Sequence, residues 1–167
     1  MQTNCNVIHR ARKFGFPHIS KKNIKDVENN LNFRFSKDFL YISSESDYEY
    51  FLSSGYEFYS FEGVGGYTVV GETIKLREKC GLPSEFAVLC IVDDVSVILL
   101  KTENKGSNEV ILCSMSDFFN ICKKNHMTES PTIFSSFMDF FEFLVEKEEK
   151  NTKLKLKNND YQCGADF

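Results

Sequence analysis

Tryptophan is absent from this sequence of 167 residues, and proline and histidine occur only three times each. Phenylalanine is abundant instead, with 17 residues, so we expect a core built on phenylalanine packing. No apolar run approaches the ~18 uncharged residues that a membrane-spanning helix needs. The first 30 residues contain no apolar run longer than Val7-Ile8, so no secretory signal is expected. These absences predict a cytoplasmic protein with no membrane segment.

The six cysteines are far apart and none forms a Cys-x-x-Cys pair, which excludes the most recognisable zinc and redox motifs. Without an export signal we expect reduced thiols, and Cys90 and Cys113 lie in apolar runs where cysteine behaves as a small hydrophobic residue. A chain of this length buries about 70% of its unfolded surface, so it can fold without crosslinks. We therefore predict no disulfide, no metal site and no cofactor.

A catalytic set is also missing. Nucleophilic catalysis needs a base beside the nucleophile, and the only histidines are His9, His18 and His126. Cys122 and His126 are four residues apart and could share a helical face, but no second ligand pair accompanies them. The segment Gly63-Val64-Gly65-Gly66 lacks the context of a phosphate-binding loop and is typical of a hairpin turn. The sequence predicts a protein that is not an enzyme; an enzyme using Cys122 and His126 is the weakest alternative.

Charge is distributed unevenly along the chain. Residues 1–37 carry eight Lys or Arg and two acids, whereas residues 38–74 carry seven acids and no Lys or Arg. Residues 75–167 carry twelve basic and fifteen acidic residues. Six of the seven tyrosines also fall between residues 38 and 74. We call residues 38–74 the acidic tyrosine block.

Tyrosines interleaved with carboxylates are typical of a protein-binding surface, because the rings bury area at low entropic cost and the carboxylates attract a cationic partner. The alternative is that half of these tyrosines belong to the core and the acids form a solvated face. Direct binding of nucleic acid is disfavoured because phosphates require a basic surface, although Arg10, Arg12 and Lys13 keep that alternative open. The candidate binding residues are Glu45, Asp47, Tyr48, Glu49, Tyr50, Glu57, Tyr59 and Glu62.

The hydrophobic patterns predict one α+β domain over residues 1–150, with an irregular arm over 1–18 and a polar tail over 151–167. Ser20 is the predicted N-cap of the first helix, and Gly81 the predicted end of a later one. Helices are predicted over 21–32, 72–80 and 130–149, and a short helix or a turn over 116–124. Strands are predicted over 56–61, 67–70, 86–92, 95–100 and 109–113, and residues 36–53 are ambiguous. Together these elements predict a mainly antiparallel central sheet of about five or six strands flanked by helices.

Several stretches resemble the SUKH superfamily. Residues 19–33 resemble its opening helix, and residues 70–83 resemble its central helix and the turn that follows. Residues 86–102 resemble its hairpin, and residues 134–144 are similar to its closing signature of serine and phenylalanine followed by a helix rich in Phe and Leu. The chain has Phe35-Ser36 where the family has Leu-Pro, and Asp93-Asp94 where turn glycines are common.

This superfamily includes many bacterial immunity proteins of contact-dependent inhibition and polymorphic toxin systems. The resemblance therefore implies a SUKH-like fold and a protein that neutralises a cognate toxin domain by blocking its active site or substrate path. Many such toxins are nucleases with basic surfaces, which the acidic tyrosine block would suit. The expected partner is a basic toxin domain, and the expected state is a monomer or a weak dimer. The alternative is a non-catalytic module of the same fold that binds proteins in regulation or in a virus–host interaction.

Overall fold

The computed structural model describes residues 2–11, 19–44, 52–53, 56–92, 95–102, 108–124 and 131–162, without the side chains of residues 2–5, 11, 52, 53, 57 and 154–162. The helices of these ranges are α1 (Gln2–Ala11), α2 (Lys21–Leu31), α3 (Lys37–Ser44), α4 (Val69–Cys80), α5 (Met115–Cys122) and α6 (Phe137–Gln162). The strands are β1 (Leu52–Ser53), β2 (Tyr56–Glu57), β3 (Phe86–Val92), β4 (Ser96–Thr102), β5 (Asn108–Ser114) and β6 (Thr132–Phe134). None of the helices in this part of the chain is long and apolar enough to cross a bilayer.

Four strands form one antiparallel sheet in the order β3-β4-β5-β6, and β1 and β2 form a separate ribbon. The α+β class and the antiparallel sheet are confirmed, but the described central sheet has four strands rather than five or six. The predicted strand over 67–70 is wrong, because Thr68 caps a helix there: its Oγ1 accepts a hydrogen bond from the N–H of Gly71 at 2.9 Å. The predicted strand over 56–61 is paired only at Tyr56–Glu57 and at the isolated bridge of Ser60.

Both ends of the chain differ from expectation. Residues 2–11 form α1 rather than an irregular arm, because Val7 and Ile8 are buried in the core and Arg10 holds Glu149 of α6 through two hydrogen bonds of 2.9 and 2.7 Å. Helix α6 continues to Gln162, beyond the predicted end at residue 149, so the polar residues 151–162 are helical. The segment from Glu146 onward lacks Gly and Pro up to that point and is rich in Lys and Glu, which are good helix formers.

The predicted helix caps are confirmed. The Ser20 hydroxyl accepts a hydrogen bond from the N–H of Asn23 at 3.1 Å and starts α2. Gly81 adopts a φ of +75° after α4, a left-handed conformation that favours glycine. Arg77 of α4 then donates to the carbonyls of Leu31, Ser84 and Phe86 at 2.9, 2.7 and 3.1 Å. Through these bonds α4 is tied to the end of α2 and to the start of β3.

The central sheet separates two hydrophobic clusters. Side chains of one face, including Leu100 and Val110, pack with α1, α2, α3 and α6 in a larger cluster. Side chains of the other face, including Val97 and Leu99, pack with α5 in a smaller one. A bulge at Leu89 shifts the register of β3 against β4, and the Leu89 carbonyl accepts a hydrogen bond from the Tyr59 N–H at 2.8 Å. The sheet edge is thereby joined to the acidic tyrosine block.

Phenylalanine dominates the larger cluster, as the composition predicts. Phe35 stacks on Phe39 with ring centroids 4.3 Å apart, and Phe39 meets the edge of Phe137 at 4.6 Å. Phe61 lies 5.9 Å from Phe35 and 5.7 Å from Phe39. These rings come from three distant parts of the sequence, so they join α3, the residue that opens the segment 61–67 and the start of α6.

Two thiols of the smaller cluster are expected to make the fold less stable at alkaline pH. Burial, followed by Asp117 and Cys122, raises the pKa of Cys113 to about 12, and burial, followed by Cys80, raises the pKa of Cys122 to about 11. The unfolded chain releases both protons near pH 9, so the stabilisation is fully present below that pH and is lost as pH rises through 11 and 12.

We predict that the free energy of unfolding falls between pH 9 and 11 by at most about 1.4 kcal/mol per pH unit for each thiol. Urea unfolding measured at both pH values checks this, with the Cys113→Ala, Cys122→Ala double variant as comparison. The double variant should be less stable at pH 9 but lose less stability on going to pH 11. Equal slopes for the two proteins would contradict the assignment.

Candidate protein-binding surface

The acidic tyrosine block includes α3, the ribbon β1–β2 and the start of α4. β2 lies beside the edge strand β3, whereas α3 and β1 pack against α6. The block is therefore built on one end of the sheet and on α6, and its polar groups are positioned by both. Which of them face solvent decides whether the block can bind another protein.

The structure places two of the eight candidate binding residues in detail. Glu62 is exposed, and its N–H donates to the Ser60 hydroxyl at 3.0 Å. Tyr59 is half-buried and packs against both hydrophobic clusters, so its ring contributes to the core rather than to an outward surface. The other six remain predictions. Glu45, Asp47, Tyr48, Glu49 and Tyr50 lie outside the described residues, and for Glu57 only the backbone is described.

Two acids of the block have structural roles. One Asp38 oxygen accepts a hydrogen bond from the Ser36 hydroxyl, and the other accepts one from the N–H of Met138 at 2.9 Å, in the first turn of α6. Glu72 is buried, and both of its oxygens accept hydrogen bonds from Lys75, at 3.1 and 2.9 Å. The Glu72 carboxylate raises the pKa of Lys75 through that hydrogen bond and its charge. These carboxylates are therefore engaged within the fold.

Some tyrosines of the block contact the rest of the fold, whereas others are exposed to solvent. The Lys147 ammonium lies 4.3 Å from the centre of the Tyr56 ring and 3.2 Å from its hydroxyl, which ties β2 to α6. Tyr41 is partly exposed on α3. Tyr67 is 82% exposed, the largest exposed fraction among the large apolar side chains that the structure describes. The alternative in which half of the tyrosines belong to the core is thus correct for Tyr56 and Tyr59.

A closed loop carries Tyr67. We call residues 61–67 the glycine loop. Its ends are joined where the Ser60 N–H donates to the Tyr67 carbonyl at 3.2 Å and the Val69 N–H donates to the Ser60 carbonyl at 2.9 Å. The Thr68 hydroxyl donates to the Gly65 carbonyl at 2.7 Å inside the loop. The arrangement is a parallel bridge that leads into α4, not the hairpin turn that the sequence predicts.

The glycine loop presents a surface that the sequence pattern did not identify. Val64 is 62% exposed beside the exposed Glu62. Tyr67 adopts a φ of +61°, which is unfavourable for a bulky residue and costs about 1–3 kcal/mol. Such strain persists only where the surrounding structure enforces it. The signal in the sequence was an aliphatic and an aromatic residue among three glycines, Gly63, Gly65 and Gly66.

The catalytic alternative gains no support from the described residues. Cys122 is buried with a raised pKa of about 11, so its thiol is protonated and unreactive at neutral pH. His126 lies outside the described residues. No cluster of His, Cys, Asp and Glu in the described ranges could hold a metal ion.

Residues 18–142, about three quarters of the chain, match the SMI1 / KNR4 family (SUKH-1). The chain belongs to this family. The resemblance to the SUKH superfamily is thereby confirmed, and the match covers the chain from α2 to the first turns of α6, including the whole acidic tyrosine block. No curated protein matches the chain. In this SUKH-1 protein, α1 and most of α6 lie outside the matched region.

Gly71 is the position on which the shape of the glycine loop depends. A Cβ added at Gly71 would lie 1.8 Å from the Gly65 carbonyl oxygen and 2.6 Å from its carbon. Both are backbone atoms, so the loop or the first turn of α4 would have to move. A Cβ at Gly66 meets nothing within 4 Å, which makes Gly66 a matched control in the same loop.

We predict that Gly71→Ala lowers the free energy of unfolding by about 1–3 kcal/mol, although alanine is the better helix former. Gly66→Ala should change it by less than about 0.5 kcal/mol. Urea unfolding gives both values, and hydrogen exchange at the Ser60 and Val69 amides reports whether the ends of the loop separate. A stabilised Gly71→Ala variant with protected amides would contradict the observed packing.

Proposed function

We propose that this SUKH-1 protein is an immunity protein that binds a cognate toxin domain and neutralises it by covering its active site or substrate-binding surface. The observation that carries the proposal is the family match over residues 18–142. Inhibition of this kind requires a complementary surface and no catalytic group. It would take place in the cytoplasm, without a cofactor, as in contact-dependent inhibition and polymorphic toxin systems.

The charge of the acidic tyrosine block supports a cationic partner. Residues 38–74 contain no Lys or Arg, so any carboxylate exposed there, such as that of Glu62, has no cation from the same segment. A nuclease toxin must carry basic residues to hold phosphates. An acidic inhibitor would compete for those same residues and would be attracted to them over a distance of about 10 Å at moderate salt. We therefore infer that the toxin is basic and is a nuclease.

The direct test is neutralisation of the toxin domain encoded by the gene immediately upstream. We predict that co-expression of the chain restores growth of cells that produce this domain. Calorimetry with the catalytically inactivated domain should give a dissociation constant near 1 nM, or about −12 kcal/mol, which weakens as salt is added. A toxin domain from an unrelated locus serves as the control. Absence of both rescue and binding would reject the immunity role and favour a protein-binding module in regulation or in a virus–host interaction.

The location of the interface is tested by charge reversal. We predict that changing Glu45, Asp47 and Glu49 together to Lys weakens binding of the toxin domain by at least tenfold and mainly slows association, because the carboxylates attract the cationic partner. Surface plasmon resonance at two salt concentrations measures the rates, and thermal unfolding shows whether the variant is folded.

The matched control is Asp26→Lys, Glu78→Lys, Glu146→Lys, in which three exposed acids outside the block are reversed. It changes the net charge by the same amount. Equal loss of affinity in the two triple variants would show a net-charge effect and would move the interface away from residues 45–49.

A further inference from the structure

The glycine loop exposes apolar side chains that the fold does not use. Tyr67 is 82% and Val64 is 62% exposed. The Tyr67 ring takes no part in either hydrophobic cluster. Tyrosine is enriched among the residues that dominate protein interfaces, because a ring with few rotamers buries a large area while its hydroxyl bonds a partner.

Both ends of the glycine loop are held by contacts with the rest of the fold. At one end Phe61 packs against the stacked pair of Phe35 and Phe39, and at the other Thr68 caps α4 and donates a hydrogen bond to the Gly65 carbonyl. Gly71 approaches the Gly65 carbonyl so closely that no side chain fits. A surface that is ordered before binding loses little conformational entropy on association, which favours high affinity.

The charges around the loop favour one kind of partner. Glu62 is exposed beside Val64, and Lys75 is bound through both oxygens of Glu72. An apolar centre bordered by carboxylate is the complement of an apolar depression bordered by basic residues.

We infer that the glycine loop is the apolar centre of the toxin-binding surface, with Tyr67 and Val64 inserting into a depression on the basic toxin domain. The inference rests on the proposed immunity function and adds to it the residues that determine the lifetime of the complex. Glu62 contributes a carboxylate to the border of this surface. The loop lies in a segment that the charge pattern placed at a binding surface, but its apolar residues were not among the predicted binding residues.

The experiment measures binding of the catalytically inactivated toxin domain encoded immediately upstream. Tyr67→Gly should raise the dissociation constant by about 30-fold or more, mainly through faster dissociation. The variant should be at least as stable as the wild-type chain, because glycine adopts the positive φ of this position without strain. Thermal unfolding thus separates loss of binding from loss of folding.

Valine offers a matched pair of variants. Val64→Ser in the glycine loop should raise the dissociation constant by about tenfold. Val95→Ser changes an equally exposed valine, 65% against 62%, in the turn before β4, and should leave the constant within about twofold. Comparing Val64→Ser with Val95→Ser separates the specific contribution of the glycine loop from the general effect of losing an exposed apolar side chain.

The outcomes separate the two proposals. If the wild-type chain does not bind the toxin domain, both the immunity function and the role of the loop are overturned. If the wild-type chain binds and Tyr67→Gly and Val64→Ser bind with unchanged constants, the immunity function stands and the role of the loop is overturned. Equal losses in Val64→Ser and Val95→Ser would also overturn it.

Discussion

The stack of Phe35 on Phe39 is the contact on which the rest of the structure depends. Phe137 meets it from the first residue of α6 and Phe61 from the first residue of the glycine loop. In a chain without tryptophan, phenylalanines are the largest fully buried side chains that the structure describes, and each aromatic pair adds about 0.5–1.5 kcal/mol beyond its buried area. Because the same stack contacts all these segments, the position of the glycine loop relative to α3 and α6 is a consequence of core packing.

Polar groups of the acidic tyrosine block stabilise the same junction. The Asp38 carboxylate accepts a hydrogen bond from the N–H of Met138 and so fixes the start of α6. At the start of α4, the buried Glu72 carboxylate pairs with Lys75. A cluster of carboxylates without basic residues would repel itself if every member were free and close together. Two of the seven acids, Asp38 and Glu72, are engaged within the fold, whereas Glu62 is exposed. The block is therefore partly structural, although its composition alone indicates only a binding role.

The elements that could be predicted from sequence are those with local causes. Ser20 caps α2, Gly81 ends α4, and the apolar runs of β3 and β4 pair across a short turn. The errors have non-local causes. Residues 67–70 are β-branched and aromatic like a strand, and β6 is three residues long and exists only because it pairs with β5. For the candidate surface, charge indicated the segment, but exposure of Tyr67 and burial of Tyr59 depend on contacts with distant residues.

In a protein inhibitor, a charged border and an apolar centre would act on different steps: the charges on association and the apolar contacts on dissociation. Long-range attraction by carboxylates accelerates encounter with a cationic partner, but salt screens it and it does little to slow dissociation. Dissociation is slowed by desolvated aromatic contacts, and these are most effective when the free protein already holds them in place. The strained φ of Tyr67 fits such a role, because a relaxed glycine there would be more stable but would carry no ring. The bonds around Ser60 and Thr68 thus hold Tyr67 at a positive φ with its ring exposed to solvent, which is the arrangement that the proposed binding role requires.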